Sequence, residues 1–276
     1  MKRTTQNRFN ALTSACVLSM MATVAWSQTL TWLGTFGGEC YALGVSADGR
    51  VVVGYSNDYF VRMHAFRWTQ ATGMQDLGAL PGGSWSEAYG VSADGSVVVG
   101  YAYNAAGRLR AFRWTQATGM QVLGTLPGGD RSVALDVSAD GSIVVGGAAN
   151  AAGQRRAFRW TAAGGVEDLN ITYASLLTDG SELWGAFAIS PDGRYIVGWG
   201  YNAATRRYEA FLLDTRCTAH NGDVDNNDCV DDADLLAVLF AFGNTGSNLG
   251  QVDVNCDGIV DDADLLTVLF NFGSGC

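Results

Sequence analysis

At 276 residues and 48% hydrophobic composition, the chain is longer than one small domain needs. Its formal charge is −10, and the segment from Cys217 to Cys276 holds eleven Asp and no Lys, Arg or Glu. The rest is nearly neutral, which excludes nucleic acid as a partner, because such proteins carry a basic face.

Residues 1–27 read as a secretory signal. Lys2, Arg3 and Arg8 form a basic start, and Ala11 to Ala25 is an apolar run. That run is shorter than the ~20 residues a bilayer span needs. Ala25-Trp-Ser27 has the small-x-small pattern of a cleavage site, which places the mature start near Gln28. No later segment reads as a membrane span, so the expected location is extracellular or attached to the cell surface.

Residues 28–215 are governed by a repeat, with units starting at Leu33, Leu77, Leu123 and Leu169. The second unit shows the pattern: a strand ending at Val91-Ser92, the strand Val97-Val-Val-Gly-Tyr101, the strand Ala111-Phe-Arg-Trp-Thr115, and the strand Met120-Gln-Val-Leu-Gly124. Asp94-Gly95 between the first two is a hairpin signal, because glycine is free to take a positive φ. It recurs at Asp48-Gly49, Asp140-Gly141 and Asp192-Gly193. Four short strands at this period predict a mainly β fold, a β-propeller of four blades. Thr29 to Gly34 matches the fourth strand, and the last unit lacks one. The expectation is therefore a ring closed by the N-terminal strand, with an open or dimer-completed array as the alternative.

His64-Ala-Phe-Arg-Trp68, Ala111-Phe-Arg-Trp114, Ala157-Phe-Arg-Trp160 and the four Ser-x-Asp-Gly turns make this region resemble the extracellular HAF-repeat family. The last unit departs from it, with Glu209-Ala-Phe-Leu212 and Ser190-Pro-Asp-Gly193. The resemblance implies a secreted repeat protein and brings no activity with it.

Within the repeats, Phe66, Trp68, Phe112, Trp114, Phe158 and Trp160 read as packing between blades, and His64, like His220 further on, as structural. Arg62, Arg108, Arg110, Arg155, Arg156, Arg206 and Arg207 precede the third strands and predict a basic rim, solvated or facing a glycan or anionic ligand. Glu39, Glu87, Asp130 and Glu182 lie in loops leading into the first strands. They supply the carboxylates for the alternative reading, a polysaccharide-degrading enzyme of the glycoside hydrolase or polysaccharide lyase type, which needs two carboxyls about 5–9.5 Å apart in the hydrolase case.

Residues 216–276 hold an acidic element written twice. Oxygen side chains fall at loop positions 1, 3, 5, 9 and 12: Asp223, Asp225, Asn227, Asp231 and Asp234, then Asp253, Asn255, Asp257, Asp261 and Asp264. This is the spacing of a loop that wraps a calcium ion in oxygens. Converging carboxylates repel, and a divalent cation reverses that sign, so metal binding and folding should be one event. Each loop runs into Leu-Leu-x-Val-Leu-Phe-x-Phe, which an acidic disordered tail would lack. Cys217, Cys229, Cys256 and Cys276 sit in this element as candidate staples with three pairings open, and Cys40 is left over.

A loop followed by one helix, twice, resembles the type I dockerin domain over Asp223 to Gly273. The resemblance implies a small α domain with two Ca2+ ions that docks on a cohesin module or another cell-surface protein. Carried over by position, Cys229 and Ile259 add backbone carbonyls, and Asp234 and Asp264 bind through both oxygens. Asp232, Ala233, Asp262 and Ala263 occupy the positions that help choose the partner. Two features depart from the pattern: loop position 6 is Asp228 where the turn favours glycine, so loop one is expected to be strained or to bind more weakly, and the partner-choosing positions carry Asp-Ala rather than hydroxyl residues, with Phe240, Phe242, Phe270 and Phe272 where basic residues are common late in the helix. The expectation is thus a secreted, non-catalytic recognition scaffold attached through a calcium-dependent module.

Overall fold

A computed structural model of the chain describes residues 28–216, 220–225, 227–246 and 249–276. The expected leader, residues 1–27, lies outside them, as does Cys217. By its contacts the chain divides into residues 1–32 and 33–276, and every described strand and helix belongs to the second unit.

Four antiparallel sheets succeed one another along the chain. The first holds β1 (Gly37–Val45), β2 (Val51–Asp58), β3 (Met63–Thr69) and β4 (Gly73–Asp76). The second holds β5 (Ser86–Val91), β6 (Val97–Tyr103), β7 (Leu109–Thr115) and β8 (Gly119–Gly124). The third holds β9 (Ser132–Val137), β10 (Val144–Ala149), β11 (Arg155–Thr161) and β12 (Gly165–Asp168). A one-turn helix α1 (Leu169–Thr172) leads to the fourth, with β13 (Glu182–Ile189), β14 (Tyr195–Asn202) and β15 (Arg207–Asp214).

The expected turns form as predicted. Gly49, Gly95, Gly141 and Gly193 all take positive φ, between 71° and 78°. In each turn the serine hydroxyl donates to the aspartate and accepts an N–H from at or just before the start of the next strand; Ser92 Oγ, for example, lies 2.6 Å from Asp94 Oδ1 and 3.0 Å from Val97 N. The side-chain bond from the turn's own serine pushes the carboxyl below the usual range at Asp94, Asp140 and Asp192, with Asp140 at about 2. At Asp48 the larger cause is the Arg50 N–H.

The sheets pack face to face through the repeated aromatics. Phe112 and Trp114 of the second sheet meet Val51, Val53 and Ala65 of the first, and Phe158 meets Val97, Val99 and Ala111 in the same way. Phe66, Phe112 and Phe158 are fully buried, as expected for packing residues. Polar stitches accompany this packing. Ala47 N–H donates to Ala93 O, Ala93 N–H to Ala139 O, and Ala139 N–H to Pro191 O, at 2.9–3.0 Å. Ser86 Oγ accepts the Ala65 N–H (2.9 Å) and Ser132 Oγ accepts the Ala111 N–H (3.0 Å), each reaching back to the preceding sheet. Arg67 and Arg113 donate to Gly95 O and Gly141 O of the following sheet.

The N-terminal strand expected to close a ring is not there. Thr29 to Gly34 carries no strand, and among the described residues the fourth sheet has three strands. Leu30 and Trp32 are exposed, and positive φ at Gly34 and Gly37 interrupts the extended run. The stitches also lapse at both ends of the array. Pro191 accepts a hydrogen bond but has no N–H to pass on. Leu212, at the register of Arg67 and Arg113, is exposed, and Cys40, at the register of Ser86 and Ser132, replaces the bridging serine.

Residues 220–276 build their own core from two copies of the same positions: Val224, Val230 and Val238, then Val254, Val260 and Val268. Each loop is followed by one helix, α2 (Asp232–Ala241) or α3 (Asp262–Phe270). The copies hold each other reciprocally. Val230 N–H donates to Ser274 O and Gly273 N–H to Val230 O, while Val260 N–H donates to Asn244 O and Gly243 N–H to Val260 O. Cys229 and Cys276 form a disulfide across 47 residues, and Cys256 is also disulfide-bonded. Closing a loop of that length restrains the unfolded chain by about 4 kcal/mol in the chain-entropy estimate. Cys40 is a free thiol.

Candidate metal centre

The two acidic loops fold alike because their side chains take the place of secondary structure. Asp223 accepts the N–H groups of Asn227 and Asp228, at 3.1 and 3.0 Å; Asp253 accepts those of Asp257 and Gly258 at the same distances. Asp225 and Asn255, two residues on, accept from Asn227 and Asp257 in turn. Asn227 and Asp257 accept from Cys229 and Ile259. Each loop thus winds around its own oxygens, although Asp225, Asn227 and Asp257 stay exposed.

Position 6 is left-handed in both copies, with φ of 68° at Asp228 and 87° at Gly258. The sequence expected strain at Asp228, and the geometry bears this out. Aspartate tolerates the region better than most residues, at a cost of roughly 1–2 kcal/mol.

Position 12 joins loop to helix. Asp234 is fully buried. Its Oδ1 accepts from Val224 N (2.6 Å) and Asp225 N (3.1 Å), and its Oδ2 from Asp231 N (2.9 Å). Asp264, also fully buried, accepts from Asn255 N and Asp261 N. Asp231 and Asp261 at position 9 are the N-caps of α2 and α3 and complete capping boxes with Asp234 and Asp264. That role was missed in the sequence, although an acceptor three residues before another acceptor, ahead of an apolar run, is its signal.

Ligand oxygens of Asp223, Asp225 and Asp234 lie within 4.8 Å of one another. A buried carboxylate without a countercharge is costly, and backbone N–H groups offset only part of that cost. The donor set is all oxygen, which suits a hard cation. Asp234 Oδ2 keeps a free lone pair, whereas a contact through both oxygens requires Oδ1 to give up one of its two N–H donors. The residues fit Ca2+ on donor chemistry.

The positions expected to meet a partner, Asp232, Ala233, Asp262 and Ala263, are exposed in the first turn of each helix. Beside them runs an exposed apolar face, Leu236, Leu239 and Phe240, repeated as Leu266, Leu269 and Phe270, of which the sequence singled out only the phenylalanines. Phe240 and Phe270 are 87% and 85% exposed, so neither belongs to the core. His220 is structural: it accepts the Gly222 N–H at Nδ1 and donates from Nε2 to Gln251 O.

In the sheet region, the residues weighed for chemistry are mostly engaged. Glu87 is buried, with Trp85, Tyr89 and Tyr101 all donating to it. Glu182 takes Arg156 and Trp184, Asp130 takes Arg108, and Glu39 takes Tyr41. The expected basic rim is neutralised only in part: of its seven arginines, Arg62 pairs with Asp58, Arg108 with Asp130, and Arg156 with Glu182 and Asp168, while Arg110, Arg155, Arg206 and Arg207 enter no ion pair among the described residues.

No protein-family model matches the chain, and no curated protein matches it either. Among solved structures it is similar to a protein described as a TolB of Agrobacterium tumefaciens, at TM-score 0.44 and 18% identity over 63% of this chain and 61% of that one. A TolB of Acinetobacter baumannii is similar at TM-score 0.44 and 13% identity, over 64% of this chain and 41% of that one. The chain thus spans less than two thirds of either structure. At these scores the likeness assigns no activity.

Proposed function

We propose that residues 216–276 form a calcium-dependent docking module of the dockerin type, which attaches an exported, blade-like recognition scaffold to a partner protein. The observation that carries this reading is the pair of buried carboxylates, Asp234 and Asp264, in a stretch, Cys217 to Cys276, with eleven aspartates and no Lys, Arg or Glu. Two Ca2+ ions would supply the missing charge. The holding residues would be Asp223, Asp225, Asn227, Asp231 and Asp234 with the Cys229 carbonyl, and Asp253, Asn255, Asp257, Asp261 and Asp264 with the Ile259 carbonyl.

Metal would tie the start of each loop to the first turn of its helix and so fix the direction of α2 and α3. The docking surface is then Asp232 and Ala233 with Leu236, Leu239 and Phe240, and its duplicate on α3. The cohesin-type partner expected from the resemblance would meet an aromatic, apolar face rather than a basic one. The disulfide supports export, since such bonds persist in oxidising compartments. The repeat supports reading the sheets as propeller blades, with unlike ends and no closing N-terminal strand. The polysaccharide-degrading alternative would have to free acids that now hold arginine, tryptophan or tyrosine.

The test is binding of the full chain to a cohesin-type module and to cell-envelope proteins of the source organism, with calcium and with chelator. Replacing Phe240 and Phe270 by Glu one at a time should leave binding through the intact copy, and replacing both should abolish it. Binding that ignores both the chelator and the double change would overturn the docking reading.

A further inference from the structure

The third sheet breaks the repeat at one position, and a cleft opens there. At the register facing Ala65, Ala111 and Ala210 the other sheets carry Tyr55, Tyr101 and Trp199. Facing Ala157, the third sheet carries Gly147. The backbone does not demand glycine: Gly147 has no positive φ, and a Cβ built on it would meet nothing closer than 3.8 Å. The missing ring leaves a cleft of about 270 Å3 lined by Arg131, Arg155, Trp184, Phe187 and Trp199 among others. This is near the low end of the ~300–1,000 Å3 typical of small-molecule sites.

A second glycine keeps the rings bare. Gly185 pairs with Trp199, where the second sheet pairs Glu87 with Tyr101. A Cβ there would press to 3.1 Å from Trp199 Nε1 and 3.3 Å from Phe187. The rings are also held in place. Trp184 and Trp199 meet edge to face at 5.2 Å, and the Trp184 indole N–H donates to Glu182, which Arg156 holds in turn. No Asp or Glu is among the residues lining the cleft, yet two arginines are. Arg131 comes no nearer than 4.0 Å to Asp130, whose close partner is Arg108 at 2.8 Å, and Arg155 enters no ion pair among the described residues.

We infer that this cleft binds a carboxylate-bearing six-membered ring. The flat face of the ring would lie against Phe187 or Trp199, since aromatic side chains offer large rigid apolar surfaces. Arg131 or Arg155 would take the carboxylate, which the planar guanidinium matches in a two-point contact. A hexuronate and an aromatic acid both have this chemistry. The site is separate from the acidic loops and does not depend on the docking reading.

The test is tryptophan-fluorescence titration of the full chain with glucuronate, benzoate and glucose, with calcium and again with chelator. The expected result is a saturable change with at least one acid, at least about tenfold weaker with glucose, and present in both conditions. Gly147→Tyr, which restores the residue of the first two sheets, should abolish it without moving the melting temperature. Arg131→Gln with Arg155→Gln should weaken it by about tenfold or more. A response to glucuronate alone identifies a sugar site, and one to benzoate alone an aromatic-acid site. Three results would overturn the inference: no saturable change with either acid at millimolar supply, equal binding of glucose, or wild-type affinity in both the glycine and the arginine variants.

Discussion

Asp234→Asn tests the role of the buried carboxylate with the least change of shape. Asp234 is fully buried and accepts three backbone N–H groups, two at Oδ1 and one at Oδ2. An amide has one accepting oxygen, so either Asp231 N–H or the pair from Val224 and Asp225 faces an NH2 group instead. A hydrogen bond to a charged group contributes about 1.5–3 kcal/mol, and a stranded buried donor costs about 1–3 kcal/mol. Without metal, the variant should therefore lose roughly 2–4 kcal/mol in the module. With metal the gap should widen, because a ligand at a hundred times its Kd stabilises by about 2.7 kcal/mol, and the variant forfeits this at one loop. The assay is calorimetric melting of the full chain with calcium and with chelator, for wild type, Asp234→Asn, Asp264→Asn and the exposed control Asp232→Asn. Wild type and control should lose stability on chelation, each single variant should lose about half as much, and the double variant should not respond. A chelator-insensitive wild type, or a double variant that keeps its calcium response, would refute the reasoning.

The phenylalanines divide into two kinds. Phe112→Ala, in a fully buried site between the first two sheets, should cost about 3–5 kcal/mol in denaturant unfolding, whereas Phe240→Ala, 87% exposed, should fall within about 0.5 kcal/mol of wild type. The Ser-x-Asp-Gly turns predict an acid limb. Asp140 is lowered to about 2 by the Ser138 hydroxyl, and Asp94 is lowered by Ser92 in the same way. A carboxyl whose folded value lies below its unfolded value adds stability above the unfolded value and loses it as pH falls through the folded one. The melting temperature should thus drop between about pH 4 and pH 2, less steeply in Asp140→Asn. An identical pH profile in that variant would show the turn bond to be idle.

The strands were legible because each is written several times. One Asp-Gly turn is weak information, but four in register between apolar runs fix both hairpins and faces. The loops were legible because oxygen side chains recur at the same offsets in both copies, and several of them accept backbone N–H groups of their own loop. Other features depend on what faces what. The Cys229–Cys276 pairing results from the reciprocal contact of loop one with the end of α3, a tertiary fact. The exposed Phe240 and buried Val238 lie two residues apart, and only the packing of the copies decides which points inward. Ring closure was expected because Thr29 to Gly34 matches a strand pattern, and local likeness outweighed the contrary signs. Those signs were present in the chain: Pro191 where its counterparts donate an N–H, and Leu212 where they carry arginine. Gly147 is a similar case, since a lost tyrosine reads as a lapse in a repeat until its neighbours are seen to leave the space open.

Isothermal calorimetry of calcium binding to the metal-stripped full chain tests the central claim most directly. The account predicts two bound ions per chain, one in Asp234→Asn or Asp264→Asn, and none in the double variant. No uptake at millimolar calcium, with an unchanged melting temperature in chelator, would contradict it.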